Sequence, residues 1–365
     1  MTTESIPPNI VIHSPLDVVS SVPYLLGFQP GESIVTVFFN DEASYVVAAR
    51  IDLRRGPAGQ RYPASYDSVN DYLCAGIDRC VRSAIDAGAT GVQLIAYLPE
   101  PPHLILEYLD TVTRLISAFD LPVMARGWVD QGRWFDAEKW LSLAVHDDLG
   151  EVIDTASEAA CSWIVQGSGY LKDRDSLWEI IRGAPTELAN DIAAKHRSGD
   201  HDWYQYAGSW RVRRKIENHL FAYVTSAVVD RLELDEYATW LLGLWDRRVR
   251  EPLLWRLATY LAHGETPTED AHRAMDRLCF LVRNAPPTLI SPIASVAAAF
   301  AWQIGNGALS TTIAEHGLND NPNNVLCGLV WQAVCQGVHP NEWTTPLCAM
   351  TLRQLRGTHT KIRAS

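Results

Sequence analysis

Ser33-Ile34-Val35-Thr36-Val37-Phe38-Phe39, the turn Asn40-Asp41-Glu42-Ala43, and Tyr45-Val46-Val47-Ala48-Ala49-Arg50-Ile51-Asp52-Leu53 decide the fold class of this chain. Both apolar runs are rich in β-branched and aromatic residues, which fit a pleated surface, and the polar residues between them predict an antiparallel hairpin. Upstream, Ser14-Pro15-Leu16-Asp17 is a helix start. It supplies a side-chain cap, a proline whose missing N–H costs nothing in the first turn, and an acid at the positive helix end. Pro23 is expected to stop that helix after about two turns. Downstream, Val69, Leu73, Ile77, Val81 and Ile85 recur every fourth position. They form one face of a helix over 66–87 that Gly88 ends. A buried strand follows at 92–98, then a helix at 102–118 with Leu106, Leu109, Val112, Leu115 and Ile116 inward. Strands at 123–129 and 133–135 are joined by Asp130-Gln131-Gly132. The order predicts an α/β domain, a mixed sheet with covering helices, and not a Rossmann domain.

After residue 150 strand signals almost vanish. Helical periods run over 154–166, 175–182, 186–196, 210–231, 235–248, 252–263 and 267–283, the last opened by the capping box Thr266-Pro267-Thr268-Glu269. Four more, at 291–304, 307–316, 323–336 and 341–352, are separated by Gly305-Asn306-Gly307, 317–322 and 337–340. This end resembles tetratricopeptide hairpins. The expected organisation is an α/β N-terminal domain at 1–150, an all-α domain at 151–285, and tetratricopeptide-like helical hairpins at 286–365 packed on it.

The chain has 365 residues, 47% hydrophobic and 20% charged, so a folded protein is expected. Its formal charge of −12 disfavours nucleic acid, whose backbone affinity comes from lysine and arginine. No apolar run is long enough for a membrane span, and residues 1–10 lack the basic and apolar regions of a signal peptide, so a cytoplasmic location is expected. The seven cysteines form no Cys-x-x-Cys pair and read as reduced thiols used as small buried hydrophobes.

Several blocks carry a resemblance. They are Val19-Ser20-Ser21-Val22-Pro23-Tyr24-Leu25-Leu26-Gly27-Phe28-Gln29-Pro30, Gly91-Val92-Gln93-Leu94-Ile95-Ala96-Tyr97, Val129-Asp130-Gln131-Gly132-Arg133-Trp134, Leu253-Leu254-Trp255-Arg256-Leu257, Ala299-Phe300-Ala301-Trp302-Gln303-Ile304-Gly305-Asn306-Gly307-Ala308 and Gly337-Val338-His339-Pro340-Asn341-Glu342-Trp343. In this order, and over nearly the whole chain, they resemble the actinobacterial domain of unknown function 4192 family. The resemblance implies the strand pair 33–39 and 45–53 but no activity. Gln29 stands where the family pattern would have histidine, and Phe135 where it would have a second tryptophan.

No phosphate-binding loop, Gly-x-Ser-x-Gly elbow or His-Glu-x-x-His is present, so no catalytic residue, cofactor or metal is assigned. Gly167-x-Gly169 and Gly305-x-Gly307 follow helices, and the geometry that cradles a pyrophosphate is missing. The densest ligand-type cluster, His196, Asp200, His201 and Asp202, matches no zinc spacing and reads as a solvated loop. Asp173-Arg174-Asp175 reads as a helix cap. Thirteen tryptophans suit packing between layers.

Three functional readings follow. The first is a non-enzymatic interaction or regulatory protein that meets a protein partner through its C-terminal helices, with homo-oligomerisation left open. The second is a small-molecule site, or an enzyme, where the loops 27–33 and 130–134 would bring Phe28, Glu32, Ser33, Arg133 and Trp134 around a cleft. The bland account of that motif is that Gly27 and Gly31 permit a tight turn while Phe28 plugs the core. The third is polyanion binding by Arg211, Arg213, Arg214, Lys215, Arg247, Arg248 and Arg250, set against pairing of these cations with Glu217, Glu233 and Asp246.

Overall fold

The computed structural model describes residues 12–53, 66–143, 150–165, 169–182, 187–198, 209–227, 234–262 and 268–355. They divide into two compact units, one up to Arg174 and one from Asp175 onward.

The first unit is built on β1 (Ser33–Phe39), β2 (Tyr45–Asp52), β3 (Gly91–Tyr97), β4 (Val123–Asp130), β5 (Arg133–Asp136) and β6 (Glu151–Val152). They form one mixed sheet of order β2-β1-β3-β4-β5-β6, antiparallel throughout except for the β3–β4 pair. Its helices are α1 (Pro15–Leu26), α2 (Val69–Asp86), α3 (Pro102–Ser117), α4 (Ala137–Ser142) and α5 (Glu158–Val165). Alternation along the central strands sorts side chains onto two cores. Ile34, Phe38, Val92, Leu94 and Trp128 pack with Leu73 and Ile77 of α2 and Ile105 and Leu109 of α3. Val35, Val37, Ile95, Tyr97 and Trp134 pack on the other face with Val18, Val19 and Val22 of α1.

The helix expected to stop at Pro23 runs through it and ends at Gly27, whose φ of 77° gives the left-handed C-cap. Ser14 and Asp17 close a capping box at its start. A proline inside a helix costs about 3 kcal/mol, whereas each fully buried valine contributes roughly 1.5–3 kcal/mol. Three valines on the sheet-facing stripe outweigh the one lost hydrogen bond. The short α4 and β6 lie outside the predicted elements. Gly127 on β4 is required by a close approach. A Cβ there would stand 2.1 Å from the carbonyl oxygen of Phe135 and 2.6 Å from the Trp134 ring.

The second unit is helical: α6 (Ser176–Ile181), α7 (Glu187–Ser198), α8 (Trp210–Thr225), α9 (Leu234–Gly243), α10 (Arg247–Ala262), α11 (Thr268–Asn284), α12 (Ile290–Gln303), α13 (Gly307–Asp320), α14 (Val325–Cys335) and α15 (Asn341–Ala349). Pro252, expected to open a helix, lies inside α10, because Asp246 starts the helix earlier by accepting the Arg248 amide on its side chain at 2.9 Å. Thr266 and Pro267 of the expected capping box lie outside the described residues. The alanine-rich α12 is buried over nearly its whole length. Small residues let its neighbours come close: a Cβ on Gly317 of α13 would stand 2.7 Å from Cys327 Sγ and 2.9 Å from Ala294 Cβ.

The α/β unit followed by a helical unit is the architecture read from the sequence. Two side-chain expectations need correction. No disulfide joins any of the seven cysteines, but only Cys279 and Cys327 are buried, while Cys74, Cys161 and Cys335 are exposed. Burial pushes the Cys279 and Cys327 thiols up to about 12. Trp128 and Trp134 serve the opposite-face cores of the first unit, and Trp210 and Trp245 are exposed. No helix among the described residues is long and apolar enough to cross a membrane.

Candidate functional site

The two loops expected to share a site lie at one end of the sheet. Ser33, the first residue of β1, is paired with Tyr97 at the end of β3, and β4 runs parallel to β3, so β4 ends and β5 begins at that same end. They do not enclose a common cleft. Phe28 is 1% exposed, Trp134 is 3% exposed and Ser33 is fully buried, with no partner for its hydroxyl among the described residues. Trp134 fills the core beneath α1, and Arg133 donates to the Gly150 carbonyl at 3.1 Å. Glu32 holds φ at 41°, and its carbonyl accepts the Leu53 amide at 2.7 Å.

A different partner faces the Gly27–Gly31 turn. Leu171 donates to the Gly27 carbonyl at 2.9 Å and accepts from the Gln29 amide at 2.8 Å, a parallel bridge that lays residues 171–174 along the turn. Tyr24 meets Tyr170 edge-on, with 4.9 Å between ring centroids, and stacks on Trp163 at 6.3 Å. Between turn and segment is a cavity of about 250 Å³ lined by Phe28, Gln29, Pro30, Gly31, Arg50, Lys172, Asp173 and Arg174. The Arg50 guanidinium lies 5.4 Å from the Phe28 ring centroid, donates to the Gly31 carbonyl at 3.2 Å and pairs with one oxygen of Asp52 at 3.3 Å. Arg174 takes the other Asp52 oxygen at 3.1 Å. Sequence reasoning missed Arg50, Asp52 and Lys172. Arg50 follows an apolar run and reads as strand surface, and Lys172 touches the turn only through the fold. In sequence, Asp173 and Arg174 read as part of a helix cap. Asp175 is instead the residue before α6, and its side chain makes no capping hydrogen bond.

A larger, shallow hollow of about 1000 Å³ lies over α3 and β4. The partly buried Arg126 in its wall is matched on both sides, by Asp110 and by Glu138 at 2.8 Å.

The arginine clusters fall on α8 and α10. Asp246 joins them, accepting Arg248 at 2.8 Å and lying 3.7 Å from Arg213. Burial opposes the Asp246 charge, yet hydrogen bonds from Arg248 and the nearby Arg213 outweigh it and hold the carboxyl below its usual pKa. Arg247 pairs with Glu251 at 2.8 Å, and burial lowers the Arg250 pKa. Glu217 binds Arg256 at 3.5 Å, outside either cluster. Glu233 lies outside the described residues, as do Asp200, His201 and Asp202 of the densest ligand-type group. Among the described residues no three His, Cys, Asp or Glu side chains gather as for a metal.

On α14, Cys327 and Val330 are buried, and Val334 points toward the Gly307 backbone. These positions recur at three and four residues and turn one face to α12 and α13. The opposite face carries Val325, 73% exposed, and Leu329, 57% exposed. Trp331, at its margin, donates to Glu315 at 3.1 Å.

The sequence model of the family described as domain of unknown function (DUF4192) matches residues 15–341. No curated protein and no solved structure matches the chain. The match begins at the first residue of α1 and ends at the first residue of α15, so it takes in the Gly27–Gly31 turn, the whole sheet and α14. The chain belongs to the DUF4192 family.

Proposed function

We propose that the protein is a non-enzymatic interaction module whose C-terminal helices bind an amphipathic helix of a protein partner. The outward face of α14 carries this reading. A helix of eleven residues offers a straight ridge about 16 Å long, and its exposed Val325 and Leu329 sit four residues apart, where a second helix can pack. Glu315, which accepts the Trp331 indole N–H at 3.1 Å, borders that ridge. A partner helix with a basic residue beside its apolar stripe complements this carboxylate.

The test compares the full chain with its Leu329→Asp and Val325→Asp variants, each immobilised and exposed to cell lysate. Every retained protein is then purified and titrated against the three chains. Loss of a buried leucine contact lowers affinity about tenfold or more, while a substitution at an exposed position leaves the melting temperature nearly unchanged. Retained proteins that bind all three chains equally would overturn the reading.

A further inference from the structure

We propose that the outer face of α8, from Trp210 to Lys215, binds single-stranded nucleic acid. The basic residues of α8 and α10 fall into two groups. Asp246 holds Arg213 and Arg248, and Glu251 holds Arg247. Arg211, Arg214 and Lys215 are exposed, and among the described residues no carboxylate pairs with them. Spacings of three and four residues set them along one stripe of the helix, on the side away from the buried Ile216, Leu220 and Val224. Glu217, the one carboxylate of α8, is 2% exposed and meets Arg256 at 3.5 Å. Glu236 lies 3.8 Å from His219, beyond the end of the stripe. Three positive charges therefore stand together with no acid among them, although the whole chain carries −12.

Helix stability does not account for this arrangement. Like charges three and four residues apart repel, and the positive end of the helix dipole disfavours cations in the opening turns, where α8 has no acid in its first turn. A polyanion laid along the stripe relieves both. Trp210 narrows the class. It opens the helix 60% exposed, with the Arg211 guanidinium 5.7 Å from its ring centroid and Arg214 one turn on. An exposed indole beside unpaired cations is a stacking platform for an unpaired base. An acidic protein segment would use the cations and gain nothing from that ring. A duplex keeps its base faces in its own stack and presents twice the phosphate charge per unit length to an acidic protein. From Trp210 to Lys215 the helix rises about 7.5 Å, room for roughly two or three nucleotides, so the contacts are few and sensitive to salt.

A fluorescein-labelled oligothymidylate about 16 nucleotides long, titrated with the full chain and followed by anisotropy at several salt concentrations, tests the proposal. Three phosphate contacts predict a slope of log affinity against log salt of about −2, a loss of roughly 20-fold between about 50 and 200 mM salt. Arg214→Gln and Lys215→Gln should each flatten that slope by about 0.7. Trp210→Ala should weaken binding about tenfold and leave the slope unchanged. All three positions are exposed, so melting temperatures stay close to that of the unchanged chain. No binding at low salt, or variants indistinguishable from the unchanged chain, would overturn the proposal. Polyglutamate displacing the labelled strand as effectively as unlabelled oligothymidylate would overturn it in favour of an acidic protein partner, and equal displacement by duplex DNA would overturn the single-strand assignment.

Discussion

Asp52 in the α/β unit and Asp246 in the helical unit each stand between two arginines, and their surroundings give the two triads different work. Asp246 accepts Arg248 through both oxygens, at 2.9 and 2.8 Å, and also accepts the Arg248 amide at 2.9 Å. With Arg213 beside it, this carboxylate is the cap of α10 and the joint between α8 and α10. Asp52 spreads its two oxygens over Arg50 and Arg174, on the wall of a cavity that Lys172 also lines. The same set, one aspartate between two arginines, closes a structure in one unit and lines a cavity in the other. Neither pair of arginines is decisive alone. The number of further cations, and whether the carboxylate also serves the backbone, separates a staple from a site.

Removing the staple should have the largest effect. Asp246→Ala deletes a helix cap, worth about 1 kcal/mol, and strips a half-buried guanidinium pair of its acceptor, worth about as much again. A loss of about 2 kcal/mol corresponds to a fall of roughly 4–8 °C in the melting temperature of a unit this size, measurable by calorimetry. Part of that stability depends on pH. The Asp246 pKa is depressed in the folded chain, so its contribution is fully present above the unfolded carboxylate value of about 3.9. It is lost as pH falls through the lower folded value. The gap in melting temperature between the unchanged chain and Asp246→Asn should therefore hold at pH 6 and narrow below about pH 4. A gap that widened on acidification would contradict the ion-pair account.

The fold was legible where local signals and tertiary packing agree. β1 to β5 follow from β-branched runs bounded by turns, and α2 and α3 from four-residue periods. Pro23 and Pro252 misled because a proline's local cost is visible in sequence while the stripe it helps bury, or the cap that precedes it, is not. The exposed cysteines misled for the converse reason: residue type predicts average burial, and helical phase decides the actual face. At the site, Gly27, Phe28 and Gly31 were legible as an unusual turn. Its real neighbours, Arg50 and Lys172 to Arg174, come from an edge strand and from a segment about 140 residues downstream of the turn. No spacing rule joins them, because the Phe28–Leu171 bridge that does is a backbone contact without a residue signature.

The smallest change in stability is expected at Asp52, and it bears most directly on the difference between the triads. Its side chain is partly exposed, and its ion pairs with Arg50 and Arg174 form at the edge of the sheet. Such pairs are worth about 1 kcal/mol or less. Asp52→Asn should thus shift the melting temperature by only a few degrees. If Asp52→Asn instead destabilised the chain as much as Asp246→Ala, the two triads would be doing the same structural work and the contrast between them would fail.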